Sequence, residues 1–126
     1  MPMHSGTVLL VDDDAAVRSA LKFSLEVEGY GVRIYERAKA LLAEKSLPTK
    51  ACLVVDLRMP AMDGLELIEA LRARGVGLPA ILIVSEPVSA ELRSRSSRVS
   101  VDRILEKPLS DSALLESIRR ALVDLA

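Results

Sequence analysis

The sequence predicts an α/β fold in which five parallel strands form one doubly wound sheet with five helices on its two faces. Two observations carry that reading. Short aliphatic runs at Val8–Val11, Val32–Tyr35, Leu53–Val55, Ile81–Val84 and Ile104–Leu105 recur along the 126 residues, and between them lie segments of about ten residues, most with helical periodicity. Strands separated by helices call for a parallel sheet whose crossovers cover both faces. In addition, half of the residues are hydrophobic but only three are aromatic, so the core must be aliphatic, as suits strands buried on both sides.

Each element has its own signal. After Val8–Val11, the residues Val17, Leu21 and Leu25 share one helical face, with Asp14 as the cap in front and Gly29 behind. Val32–Tyr35 is a shorter, half-polar strand, and Ala38–Lys45 a short helix. Leu53–Val55 is followed by a loop and by a helix carrying Leu65, Ile68 and Leu71. Pro79 introduces Ile81–Val84. The segment after it is weak: Ser89–Arg98 holds four serines, three arginines and a single large apolar residue, Leu92, so a short, mobile or distorted fourth helix is expected, its arginines on a solvated face. Ile104 and Leu105 mark the fifth strand, and Leu114, Ile118, Leu122 and Leu125 form the clearest amphipathic helix.

Composition excludes several classes. A chain of 126 residues fits one domain over residues 1–126, with a substantial core. A net charge of -1 provides no electrostatic reason to bind nucleic acid or an anionic membrane. The lone Cys52 rules out an internal disulfide or a thiolate zinc site and, inside an apolar run, reads as core filler. No stretch is long enough to span a bilayer, and MPMHSG lacks the pattern of a leader, so a cytoplasmic protein is expected. DNA binding is disfavoured because nothing after the last helix has room for a helix-turn-helix.

The strand ends carry the chemistry. In open parallel sheets ligands bind at the carboxyl ends of the strands, and right-handed connections bring those ends to one edge. There the first strand ends in Asp12, Asp13 and Asp14, the third in Asp56, the fourth in Ser85, and the fifth in Glu106 and Lys107. Asp14 reads simply as the next helix's cap. Two carboxylates about 4 Å apart repel by roughly 4 kcal/mol at an effective dielectric near 20, and one lysine cannot neutralise three of them. A divalent cation can, and an all-oxygen donor set points to Mg²⁺ or Mn²⁺ rather than zinc or copper. Mg²⁺ in turn suits phosphoryl chemistry, with Asp56 as nucleophile, Ser85 hydrogen-bonding a phosphoryl oxygen and Lys107 neutralising another.

At this point VLLVDDD, VVDLRMPAMDG, ILIVS and LEKP, over essentially the whole chain, resemble the receiver domain of two-component response regulators, the CheY-like fold with strand order 2-1-3-4-5. LRMP and EKP are most similar to its FixJ-type branch. The resemblance implies that Asp56 is the phosphoacceptor, supplied by a sensor histidine kinase, a histidine phosphotransfer protein or a small donor such as acetyl phosphate. It implies that Asp13 and Asp56 ligate Mg²⁺ directly, that Asp12 acts mainly through a water, and that the carbonyl of Arg58 completes the protein ligands. It also implies that Ser85 is the switch hydroxyl, Lys107 the family's lysine, Lys107–Pro108 a cis bond, and Met62–Gly64 the turn after the phosphorylation loop.

Three departures from the family pattern cluster on one face. Ile104 stands where an aromatic residue usually reports phosphorylation, Glu86 and Pro87 follow Ser85 where a small residue is usual, and Ser100–Val101 replace a small pair. Receivers commonly signal or dimerise through the face built by the fourth helix and fifth strand, so a homodimer is among the arrangements the resemblance allows. The resulting expectation is a stand-alone receiver, not an enzyme, that passes its signal to a downstream protein by binding. The alternative is a pseudo-receiver, an interaction module with little or no phosphorylation. A phosphatase of the haloacid dehalogenase type is disfavoured because the Gly-Thr expected after the second aspartate is missing.

Overall fold

The computed structural model describes residues 6–125; residues 1–5, where the sequence shows no leader pattern, lie outside the described residues. The chain order is β1 (Thr7–Val11), α1 (Ala15–Val27), β2 (Gly31–Tyr35), α2 (Ala38–Leu42), β3 (Ala51–Asp56), α3 (Gly64–Ala73), β4 (Ala80–Val84), α4 (Ala90–Arg98), β5 (Arg103–Glu106) and α5 (Asp111–Val123). All strand pairs are parallel, in the order β2-β1-β3-β4-β5. This is the doubly wound sheet that the alternation of elements predicts.

Strand periodicity divides the core in two. Leu9, Val11, Leu53, Val55, Leu82 and Val84 point to one face and pack against Leu41 of α2, Leu65, Ile68 and Leu71 of α3, and Leu92 of α4. The alternate residues Val8, Leu10, Cys52, Val54, Ile81 and Ile83 point to the other and meet Leu21 and Leu25 of α1 and Leu114, Ile118 and Leu122 of α5. Cys52 is therefore core, and burial pushes its thiol up to about 12, which leaves it unreactive.

The strands extend one or two residues beyond their aliphatic runs, and three helices differ from the sequence reading. α2 stops at Leu42 rather than Lys45. α5 ends at Val123, so Leu125 lies beyond the helix and is exposed. α4 is short, as expected, but it is a regular nine-residue helix rather than a distorted one. Leu92 is its one large buried anchor, and its ends add stabilising contacts. Ser89 Oγ accepts the Leu92 N–H at 3.0 Å, Glu91 lies in the first turn, and Arg95 and Arg98 lie in the last, each charge matched to the helix dipole. At the far end Ser100 takes a left-handed φ of 58° and the Val101 N–H reaches the Ser96 carbonyl at 3.0 Å. Arg72 of α3 fastens this closure, donating to the carbonyls of Val99, Ser100, Val76 and Leu78 at 2.7–3.1 Å.

Candidate functional site at the strand ends

Register places the site. Val11 pairs with Val55, so the next residues, Asp12 and Asp56, are neighbours at the carboxyl ends of β1 and the central strand β3. Val84 pairs with Glu106, which sets Ser85 beside Lys107. Asp12, Asp13 and Asp56 each bring a carboxylate oxygen to within 4.8 Å of the others, the one such acidic group among the described residues. Asp12 and Asp56 are buried and Asp13 is exposed, so the cluster opens to solvent on one side. Asp14 has the structural role expected of it, with its side chain accepting the Ala16 and Val17 N–H groups at the start of α1.

The electrostatics of the cluster are unbalanced. Burial holds the Asp12 carboxyl above the usual carboxylate range, with the charges of Asp56 and Asp13 adding to the effect and the Asp14 N–H and Lys107 opposing it. Lys107 Nζ stands 3.4 Å from Asp56 Oδ2, longer than a strong charge-assisted bond. One partly exposed ammonium thus faces three carboxylates. A hard divalent cation fits this donor set, which contains oxygen only.

The supporting shell is more specific than the strand-end pattern suggests. Arg18 Nη1 holds the Asp12 carbonyl at 2.7 Å and the Asp12 N–H donates to the Tyr35 carbonyl. The loop after Asp56 returns tightly, with the Gly64 N–H on the Leu57 carbonyl at 2.9 Å. A β-carbon at Gly64 would come within 2.5 Å of the Asp56 carbonyl oxygen. Asp63 and Glu66 form a reciprocal capping box at 2.8 and 2.9 Å, so the first turn of α3 is fixed directly behind Asp56. Lys107–Pro108 is cis.

The remaining predicted residues separate into two groups. Ser85 follows β4 at the same edge and is exposed. Arg58, two residues past Asp56, turns its side chain to Glu86, with Nε and Nη2 both 2.8 Å from Glu86 Oε1. Ile104 is half-buried and packs with Val88, Val99 and Val101 against the core. Sequence reasoning missed Arg72 and the Arg58–Glu86 pair, because both contacts join residues about 28 positions apart. It also missed the capping box, although Asp63-x-x-Glu66 is a legible signal for one.

A five-stranded doubly wound domain with an acidic cluster and a lysine at its strand ends defines the class: an α/β domain whose strand-end site suits a hard divalent cation. The chain belongs to the response regulator receiver domain family, whose model matches residues 8–119. Among curated relatives it is 34% identical over 117 residues to the transcriptional regulatory protein FixJ of Bradyrhizobium diazoefficiens, covering 93% of this chain and 57% of that one. It is 36% identical over 122 residues to FixJ of Rhizobium meliloti, covering 94% and 58%. The chain thus spans a little over half the length of these relatives. Among solved structures it resembles FixJ-N (TM-score 0.83, 32% identity, 98% of each chain). A CheY-like receiver domain protein of Methanospirillum hungatei is similarly close (TM-score 0.86, 31% identity, 97% of each chain). Two-component signalling through phosphorylation is the function expected of the family, and among the described residues no helix is long and apolar enough to cross a membrane.

Proposed function

We propose that residues 1–126 act as a receiver that takes a phosphoryl group on Asp56 and signals through phosphorylation-dependent protein–protein contact. The observation that carries this reading is the cluster of Asp12, Asp13 and Asp56 with Lys107 Nζ 3.4 Å from Asp56. Asp12, Asp13, Asp56 and the Arg58 carbonyl would hold Mg²⁺, which when bound supplies the charge neutralisation that phosphoryl transfer requires. An Asp56 carboxylate oxygen attacks phosphorus. The bond from phosphorus to the imidazole nitrogen of a phosphohistidine, or to the acetate oxygen of acetyl phosphate, breaks and the leaving group takes that electron pair. Lys107 neutralises a phosphoryl oxygen and Ser85 donates a hydrogen bond to another. The donor in the cell is a sensor histidine kinase or a histidine phosphotransfer protein, the reader is a downstream protein, and the site is cytoplasmic.

Phosphorylation adds close to two negative charges, enough to shift the β4–α4 loop that carries Ser85. A pseudo-receiver is the competing reading, favoured by Glu86 next to Ser85 and by Ile104 in place of an aromatic residue. The deciding experiment is incubation with Mg²⁺ and acetyl phosphate, with intact mass recorded beside Asp56→Asn. A phosphoryl adduct on the wild type alone is expected. An unlabelled wild type, together with partner binding indifferent to Asp56→Asn, would replace the switch with the interaction module.

A further inference from the structure

The acid beside the switch hydroxyl is an anomaly for a site that must accept a phosphoryl anion. Glu86 directly follows Ser85, and a free carboxylate there would repel the donor. The structure shows where that charge goes. Arg58, from the β3–α3 loop, grips Glu86, from the β4–α4 loop, through two nitrogens on one oxygen, each at 2.8 Å. The gripped pair faces α4, bounding a small recess with Ser89, Glu91, Leu92 and Arg95. None of these is a site carboxylate. Pro87 adds a local constraint by restricting the backbone of Glu86 to extended conformations.

We propose that Arg58 is a positioning residue: by holding Glu86 against α4 it keeps a fourth carboxylate away from the phosphoryl position, so the site accepts an anionic donor despite the acid beside Ser85. The proposal deepens the phosphoacceptor reading and rests on it. Both side chains are substantially exposed, at 67% and 41%, so the clasp is a modest bias on where Glu86 resides rather than a lock. Its effect is correspondingly modest and sensitive to salt.

The test is a double-mutant cycle on wild type, Arg58→Ala, Glu86→Ala and the double variant. The first readout is the initial rate of phosphoryl adduct formation from acetyl phosphate at fixed Mg²⁺, measured by intact mass. Arg58→Ala is expected to slow labelling about threefold when Glu86 is present, the size an exposed pair supports, and clearly less in the Glu86→Ala background. Arg58→Lys, which keeps a cation for Glu86, recovers part of the rate. The second readout is Mg²⁺ affinity of the unphosphorylated proteins by titration calorimetry. There Arg58→Ala tightens binding about twofold while Glu86 is present, because a released carboxylate adds to the cluster's field, and less in the Glu86→Ala background, where only the arginine's own charge is lost. Equal effects of Arg58→Ala in both backgrounds, or none in either, would overturn the proposal, since the arginine would then act directly or not at all. A wild type that binds Mg²⁺ but takes no label counts against the phosphoacceptor reading, while the calorimetric cycle still decides whether Arg58 restrains Glu86. A wild type that does neither removes both.

Discussion

Gly64 sits so close behind Asp56 that a β-carbon on it would approach the Asp56 carbonyl oxygen to 2.5 Å and a methyl of Val55 to 2.9 Å. The nearest atom is backbone of the central strand, which cannot rotate aside. Gly64→Ala is therefore expected to push the start of α3 away from β3 and to tilt the Asp56 carboxylate. We expect a loss of about 1–3 kcal/mol in urea unfolding, together with weaker Mg²⁺ binding. Unchanged stability and metal affinity would show that the loop yields without disturbing the site.

Asp12 contributes to the site at a cost to the fold. Its buried carboxylate lies with those of Asp56 and Asp13, and burial holds its carboxyl above the ordinary range. The folded state consequently keeps the Asp12 proton to higher pH than the unfolded chain, so without metal the stability falls as pH rises through that interval. Asp12→Asn removes the penalty. The expected outcome at neutral pH is a metal-free Tm higher by about 3 °C and loss of most of the rise in Tm that Mg²⁺ produces in the wild type. Differential scanning calorimetry with and without Mg²⁺ checks both. A lower metal-free Tm would mean that the charge of the Asp12 carboxylate, acting on the Asp14 N–H at 2.9 Å and on Lys107, outweighs the cost of burying it.

Much of this arrangement is legible in the sequence, and the pattern of success has a physical basis. Strand positions follow from aliphatic runs, and β3 is buried along its whole length. Parallel topology follows from the helices between strands, and topology alone brings Asp12, Asp56, Ser85 and Lys107 to one edge. What periodicity does not convey are contacts between distant loops. α4 illustrates the limit. Its composition argues against a regular helix, yet capping at Ser89 and the grip of Arg72 on the closing carbonyls sustain one. Nor does Glu86 reveal from sequence that Arg58 restrains it.

Arg72 makes a further stability prediction. Its guanidinium donates to four carbonyls spread over the turn after α3 and the closure of α4, acceptors that only a planar fork can reach together. Arg72→Ala strands several of these and is expected to cost about 2 kcal/mol or more in chemical denaturation. Arg72→Lys should recover less than half, because a single ammonium cannot span them. Hydrogen exchange should show the loss of protection concentrated in α4 and the residues after it. Uniform loss across the sheet would contradict this placement of Arg72.

Lys107 is the cation that faces the carboxylates, yet at 3.4 Å from Asp56 Oδ2, with its side chain 30% exposed, it is held loosely rather than locked. A lysine committed to a structural ion pair would sit closer to its partner. Its position instead leaves it able to follow charge as charge arrives on Asp56. Two opposite consequences of Lys107→Ala follow. Mg²⁺ should bind about threefold more tightly, because the competing positive charge is gone while the carboxylates remain. The gain in stability on phosphorylation should shrink, because the added phosphoryl oxygens lose their ammonium partner. Calorimetric titration of Mg²⁺, followed by thermal unfolding with and without acetyl phosphate, reads the two effects separately. Weaker Mg²⁺ binding in Lys107→Ala would instead assign the lysine to holding the metal-binding carboxylates in place.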